Sequence, residues 1–317
     1  MTLPSIDGCT RVSVWRLPQP AAHAHREVAA RAPAMLLALA RKRALRIDQA
    51  AHVIFTTSQP RGIVLFHDDD ADTPRAVTLG GHSLCALDLP GACLRHVVLL
   101  AHSDGAIDIV DLRTSVGLGV AERSVVEAHS EGGPVSFTAG DDQVIVVPCR
   151  RGEPFALPDA ASFSVLVPVA RARCAPVIDA HARRQALASR YECTVVSDRH
   201  DRAAPTVFVR ASLADLETGV LIGRYPRCEV SGALGVDASI SRVHALVRLA
   251  RPTPGLLSET QPDRLLVVDC ASTNGTGLVG ANGLVRHRLD GDGGSAAWLR
   301  AGEGIDVHGH RVLIGLS

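Results

Sequence analysis

The chain has 317 residues, enough for two domains that each bury a core of their own. Lys plus Arg and Asp plus Glu both total 33, so no bulk field exists to hold nucleic acid or an anionic membrane, and an anion must be bound by local geometry. The 8 cysteines (Cys9, Cys85, Cys93, Cys149, Cys174, Cys193, Cys228 and Cys270) are scattered, without a CxxC pair or a Cys/His cluster at zinc spacing, and read as small core residues in a reducing compartment.

In chain order, Arg11–Leu17 reads as a strand and the Ala/Arg-rich Ala34–Arg46 as a helix. The acidic run Asp68-Asp69-Asp70 with Asp72 lacks the alternation and trailing Glu of a calcium loop and reads as a solvated loop. His52–Thr57, Gly62–Phe66, Ala76–Gly80 and Leu94–Leu99 are β-branched or apolar runs between Gly, Asp and Pro, which predicts strands. Gly152–Ala161, with two prolines, is the expected boundary. A second strand, Phe163–Val169, and a second helix, Val177–Arg190, follow it.

The second half then runs through about ten short strands: Tyr191–Ser197, Thr206–Ala211, Gly219–Arg224, His244–Leu249, Arg264–Asp269, Thr276–Val279, Val285–Leu289, Ala297–Leu299, Gly304–Val307 and Arg311–Ile314. That density suits a β-sandwich. Three pieces of this half carry chemistry: Gly223-Arg224 at the end of an apolar run, Ser241-Arg242-Val243-His244 one loop later, and Ser272-Thr273-Asn274-Gly275-Thr276 later still. An Arg, a Ser-Arg pair and a Thr-Asn turn can converge on a dianion, yet they supply neither nucleophile nor base.

In order and spacing these pieces resemble the forkhead-associated (FHA) domain, over roughly residues 190 to 317. The resemblance implies an all-β architecture of SMAD-FHA type and recognition of phosphothreonine, which carries close to two negative charges at neutral pH. It implies phosphopeptide-binding roles for Arg224, Ser241, Arg242, Thr273 and Asn274. Arg224 offers its guanidinium fork, Ser241 its hydroxyl and backbone N–H, Arg242 a second cation and Thr273 further hydrogen bonds, while Asn274 holds the peptide backbone. Gly223, His244 and Gly275 are expected to support the loops and not to touch ligand.

The first half repeats this order faintly. Its three opening strands mirror those of the second half, Leu94-Arg95-His96 mirrors the Ser241 strand, Asp111–Leu118 falls where Asp269–Thr276 stands, and Phe137–Val146 parallels Leu299–Val307. On this reading Gly81 stands for Arg224, Leu94 for Ser241 and Val116 for Asn274, with Arg95, Ser115 and Gly117 retained in type. Too little is left to offset dehydration of a dianion. The expected fold is therefore two β-sandwich, FHA-like domains, each preceded by a strand and helix leader: residues 1–150, a linker and leader over 151–190, and 191–317.

No catalytic residue, metal ligand or cofactor site is expected: the 14 histidines give no HExxH, and no Ser sits in a GxSxG elbow. Gly302-Glu303-Gly304 and Gly291–Gly294 read as loops. Met1–Leu17 has no basic segment followed by an apolar one, and no apolar run approaches the ~18 residues of a spanning helix, so a soluble cytoplasmic protein is expected. Abundant Arg, Ala and Gly with 3% aromatics suit a bacterial source. The function expected is a non-enzymatic signalling adaptor whose partner is a phosphothreonine-containing protein, a Ser/Thr kinase or its substrate. The alternative is a structural assembly component, for instance of a secretion system, that binds an unphosphorylated partner through the same surface.

Overall fold

The computed structural model describes residues 12–16, 51–56, 61–66, 73–102, 105–115, 117–120, 123–125, 127–130, 135–149, 193–196, 206–231, 234, 237–249, 264–290, 294–300 and 302–316. The expected helices Ala34–Arg46 and Val177–Arg190, the strand Phe163–Val169, the acidic run at Asp68 and the boundary Gly152–Ala161 lie outside them. The chain divides into two compact units, Met1–Cys174 with Gly291–Gly293 and Ala175–Asp290 with Gly294–Ser317.

The described part of the second unit is a β-sandwich. A six-stranded sheet runs in the order Cys193–Val196, Thr206–Ala211, His310–Leu316, Gly304–Val307, Thr276–Val279, Val285–Leu289. A four-stranded sheet runs Val220–Ile222, Ala245–Leu249, Leu265–Asp269, Ser295–Leu299, antiparallel throughout. Alternation decides which face packs: Val207, Val209 and Ala211 are buried, while Phe208 and Arg210 between them are exposed. These three share one core with Ile222, Val247 and Val267 of the facing sheet and with Leu278, Ile305 and Val312. Each Val, Leu or Ile side chain among them, fully withdrawn from water, contributes about 1.5–3 kcal/mol.

Unit 1 has the same two-layer plan, with sheets of seven and five strands sharing a core that includes Ile54, Leu65, Phe137 and Val146 from one and Val77, Leu99 and Ile109 from the other. Its larger sheet buries its other face as well, through Val53, Phe55, Val64, Ile145 and Val147. This explains why Ala51–Thr56 reads as an unbroken buried run.

The elements expected from sequence differ in three informative places. The expected strand Gly219–Arg224 ends at Ile222, because Gly223 and Arg224 turn out of the sheet. The strand expected from Leu94 starts at Val97. A short helix, Leu213–Thr218, was not expected, although Ser212 and Asp215 close a capping box: the Asp215 N–H donates to Ser212 Oγ at 3.2 Å and the Ser212 N–H to Asp215 Oδ2 at 3.1 Å.

The opening hairpins of the two units also pair differently. In unit 2 the second strand, Thr206–Ala211, lies parallel to the last, His310–Leu316. In unit 1 it is the first strand of the hairpin, Ala51–Thr56, that pairs with Asp142–Cys149, and it does so antiparallel.

Candidate functional site

Register places the three motif loops together. Ile222 pairs with Ala245, Ala245 with Asp269 and Asp269 with Ser295, so the strand ends that carry the loops line up along one edge of the four-stranded sheet. Backbone hydrogen bonds then join the first two loops: the Arg224 N–H donates to Ser241 O at 3.2 Å and the Tyr225 N–H to Arg242 O at 2.9 Å. Gly223 makes this approach possible, since a Cβ there would lie 2.5 Å from the Arg242 carbonyl oxygen.

His244, fully buried, braces the loops. The Ser241 N–H donates to its Nδ1 at 3.3 Å, which fixes the neutral tautomer with hydrogen on Nε2, and Nε2 donates to Gly275 O at 3.0 Å. The Ser241 N–H is therefore occupied in this structure. Its hydroxyl lies 3.4 Å from Thr273 Oγ1 and accepts the Thr273 N–H at 2.9 Å. Asn274 Nδ2 donates to Ser239 O at 2.7 Å, linking the third loop back to the second.

The turn itself is organised by Asp269, a residue to which the sequence reading gave no role. Its buried carboxylate accepts the Ser272 N–H at 3.0 Å, Ser272 Oγ at 2.6 Å and Thr276 Oγ1 at 2.6 Å. The Asp-x-x-Ser spacing is the signal that could have revealed it, since such carboxylates bond to backbone N–H groups a few residues on. Ala271 (φ 52°) and Gly275 (φ 69°) supply the left-handed steps of the turn.

Two cations of the site are exposed. Arg224 spends its Nε on Ile240 O at 2.8 Å, which leaves both terminal nitrogens of its fork for another group. Arg242 is exposed on the adjoining loop, and neither guanidinium has a carboxylate partner among the described residues. Arg227 stacks over Tyr225, its guanidinium carbon 5.3 Å from the ring centre. The arrangement offers cations and hydroxyls around one turn. Among the described residues no group of three or more His, Cys, Asp or Glu side chains could hold a metal ion, and no helix is long and apolar enough to cross a membrane.

Residues 220–293 match the family model for the FHA domain. FHA domains are binding modules for phosphothreonine-containing proteins. A solved FHA domain, that of the CT664 protein from Chlamydia trachomatis, is similar to this chain at 13% identity, over 31% of this chain and 96% of that one, with a TM-score of 0.25. No curated protein matches the chain.

The same backbone lattice recurs in unit 1. The Gly81 N–H donates to Cys93 O at 3.0 Å and the His82 N–H to Leu94 O at 3.0 Å. The Cys93 N–H donates to His96 Nδ1 at 3.2 Å, and His96 Nε2 meets Gly117 O at 3.2 Å. Asp111 accepts the Thr114 N–H at 2.9 Å as Asp269 accepts that of Ser272. These bonds correct the sequence alignment by one residue: Cys93, not Leu94, answers to Ser241, Leu94 answers to Arg242, and His96 to His244. Arg95 falls opposite Val243 and is buried. Val116 lies outside the described residues.

Proposed function

We propose that this protein is a non-enzymatic adaptor whose C-terminal FHA domain docks a phosphothreonine-containing protein through Arg224, Ser241, Arg242, Thr273 and Asn274. The observation that carries the reading is the fork of Arg224, whose terminal nitrogens have no partner among the described residues, with its backbone hydrogen-bonded to Ser241, whose hydroxyl adjoins Thr273. A dianion with several acceptor oxygens is the ligand such a set of donors suits. The setting proposed is the bacterial cytoplasm, with a Ser/Thr kinase to write the mark. Phosphopeptide capture needs no catalytic residue.

The N-terminal unit fits a degenerate copy of the same module. Support comes from the shared hydrogen-bond lattice, with Gly81 opposite Arg224, Cys93 opposite Ser241 and Leu94 opposite Arg242. Leu94 and Leu84 are exposed there, so the loop rim is apolar where the C-terminal rim is cationic. This favours contact of the first unit with an unphosphorylated partner, as in an assembly role.

The test is a phosphothreonine peptide library presented to the full chain and to Arg224→Ala. Phosphate-dependent capture that Arg224→Ala abolishes supports the adaptor reading. Capture that ignores both the phosphate and Arg224 leaves the assembly reading in its place.

A further inference from the structure

A third exposed arginine borders the site. Arg288 lies on the Val285–Leu289 strand at the edge of the six-stranded sheet. Its Nη2 donates to the carbonyl of Asn274, and its Nε stands 3.3 Å from where a Cβ on Gly275 would be. Its cross-strand neighbour is Gly277, which has no side chain to deflect it. The guanidinium is thus held beside the turn by one donor, on an exposed residue.

Charge separates Arg288 from the other arginine on this strand. Arg286 is neutralised by Glu303, with Nε to Oε1 at 2.7 Å and Nη2 to Oε2 at 3.1 Å. Arg288 has no carboxylate partner among the described residues. Three carboxylates lie on neighbouring elements. Asp290 follows the strand, its Cβ 3.0 Å from the same added Cβ on Gly275, without an ion pair to Arg288 among the described residues, and Asp306, beyond Gly277, accepts the Gly309 N–H at 2.9 Å. Asp237 is occupied by Ser239 Oγ at 2.5 Å and lies 3.8 Å from His310. A phosphate held by Arg224 and Arg242 leaves Arg288 unmatched, and an exposed cation fixed in place beforehand is a selector for a negative group that passes it.

We infer that Arg288 reads the residue flanking the phosphothreonine on the Asn274 side and selects Asp or Glu there, so that the partner is a phosphothreonine segment with an acidic flank. The inference rests on the phosphothreonine reading of Arg224 and Ser241.

The experiment uses the full chain and phosphothreonine peptides that differ only in carrying Asp, Ala or Lys beside the phosphoresidue, with affinities from calorimetry. The parent protein should bind the Asp peptides about two- to fivefold more tightly than the Ala peptides, the range of an exposed ion pair. That ratio should shrink as salt rises from about 0.05 M to about 0.5 M. Arg288→Gln, which removes the charge and ends about where Arg288 Nε stands, short of the Asn274 carbonyl, should bring the Asp-to-Ala ratio to about one, apart from any loss common to all the peptides. Arg288→Glu should turn the preference toward Lys. Equal affinity of the parent for all three flanks overturns the inference, as does an Arg288→Gln loss that is the same for every peptide, which would make Arg288 a prop for Asn274 alone. Those outcomes differ from failure of the underlying reading, in which no peptide binds or binding survives Arg224→Ala, and in which the inference falls as well.

Discussion

His244 donates its Nε2–H to the carbonyl of Gly275 at 3.0 Å, across 31 residues of chain, from a position with no exposed surface. Its other nitrogen accepts from Ser241, so one ring holds the two loops at a fixed separation. Replacing it with Ala strands a buried N–H and a buried carbonyl. His244→Ala should cost about 2–4 kcal/mol in urea denaturation. Phosphopeptide affinity should fall with it even though the ring touches no ligand. His244→Gln carries both a donor and an acceptor and should recover part of each loss. A stability unchanged by His244→Ala would show that the brace does not hold the loops.

Arg224 should behave in the opposite way. It is exposed and makes one side-chain bond, to Ile240 O. Arg224→Ala should therefore change stability by no more than about 0.5 kcal/mol. It should lower phosphopeptide affinity by roughly 30-fold to several thousand-fold, as expected for a lost partner of a desolvated charge pair. Arg224→Lys keeps the charge and loses the fork, and should fall between. Ser241→Ala should show a smaller affinity loss together with about 1 kcal/mol of stability, since its hydroxyl also accepts the Thr273 N–H. Calorimetry and denaturation on the same preparations check both halves. An affinity loss under about threefold for Arg224→Ala removes this residue from the site.

Gly223 is the point where two loops nearly touch. An added Cβ would lie 2.5 Å from the Arg242 carbonyl oxygen and 3.0 Å from the His244 backbone nitrogen, and backbone atoms inside a hydrogen-bonded lattice do not give way cheaply. Gly223→Ala should destabilise by about 1–3 kcal/mol or more and weaken phosphopeptide capture by moving Arg224 away from Ser241. Gly315→Ala is the control, because a Cβ there meets nothing within 4 Å. Equal melting behaviour of the two variants would contradict the close approach.

What the sequence revealed and what it hid divide along physical lines. The C-terminal motif loops were legible because the proposed recognition depends on side-chain type: Arg224, Ser241 and Thr273 cannot be exchanged without losing donors. In unit 1 a similar set of hydrogen bonds is made by backbone groups and by His96 and Asp111, so it does not depend on the types of the rim residues. Matching types drew Arg95 onto Arg242 and displaced the alignment by one. Arg288 was invisible for a similar reason, since it meets a backbone carbonyl 14 residues away. The pairing of the opening hairpins is set by contact with the last strand of each unit, which local sequence does not encode.

Affinity for a phosphothreonine peptide should rise as pH goes from about 5 to about 7.5, because the second phosphate ionisation lies near pH 6 and the ligand passes from about one negative charge to two. The sign follows from which side titrates. Arginine stays protonated throughout the window, and hydroxyls do not ionise in it. Asp237, on the second loop, is held below the usual carboxylate range by the hydroxyl of Ser239, then by its backbone N–H, so it stays charged across the window and adds no slope. Any histidine that protonates on the acid side adds positive charge and pulls the other way. Running the pH series on the parent and on His244→Gln checks the assignment: a slope that persists in the variant belongs to the phosphate. A peptide with Glu in place of phosphothreonine should bind poorly at every pH, since a planar monoanion does not fill donors arranged for a tetrahedral dianion. Equal binding of the Glu peptide, or a flat profile in both proteins, would mean that this surface does not recognise the phosphate dianion.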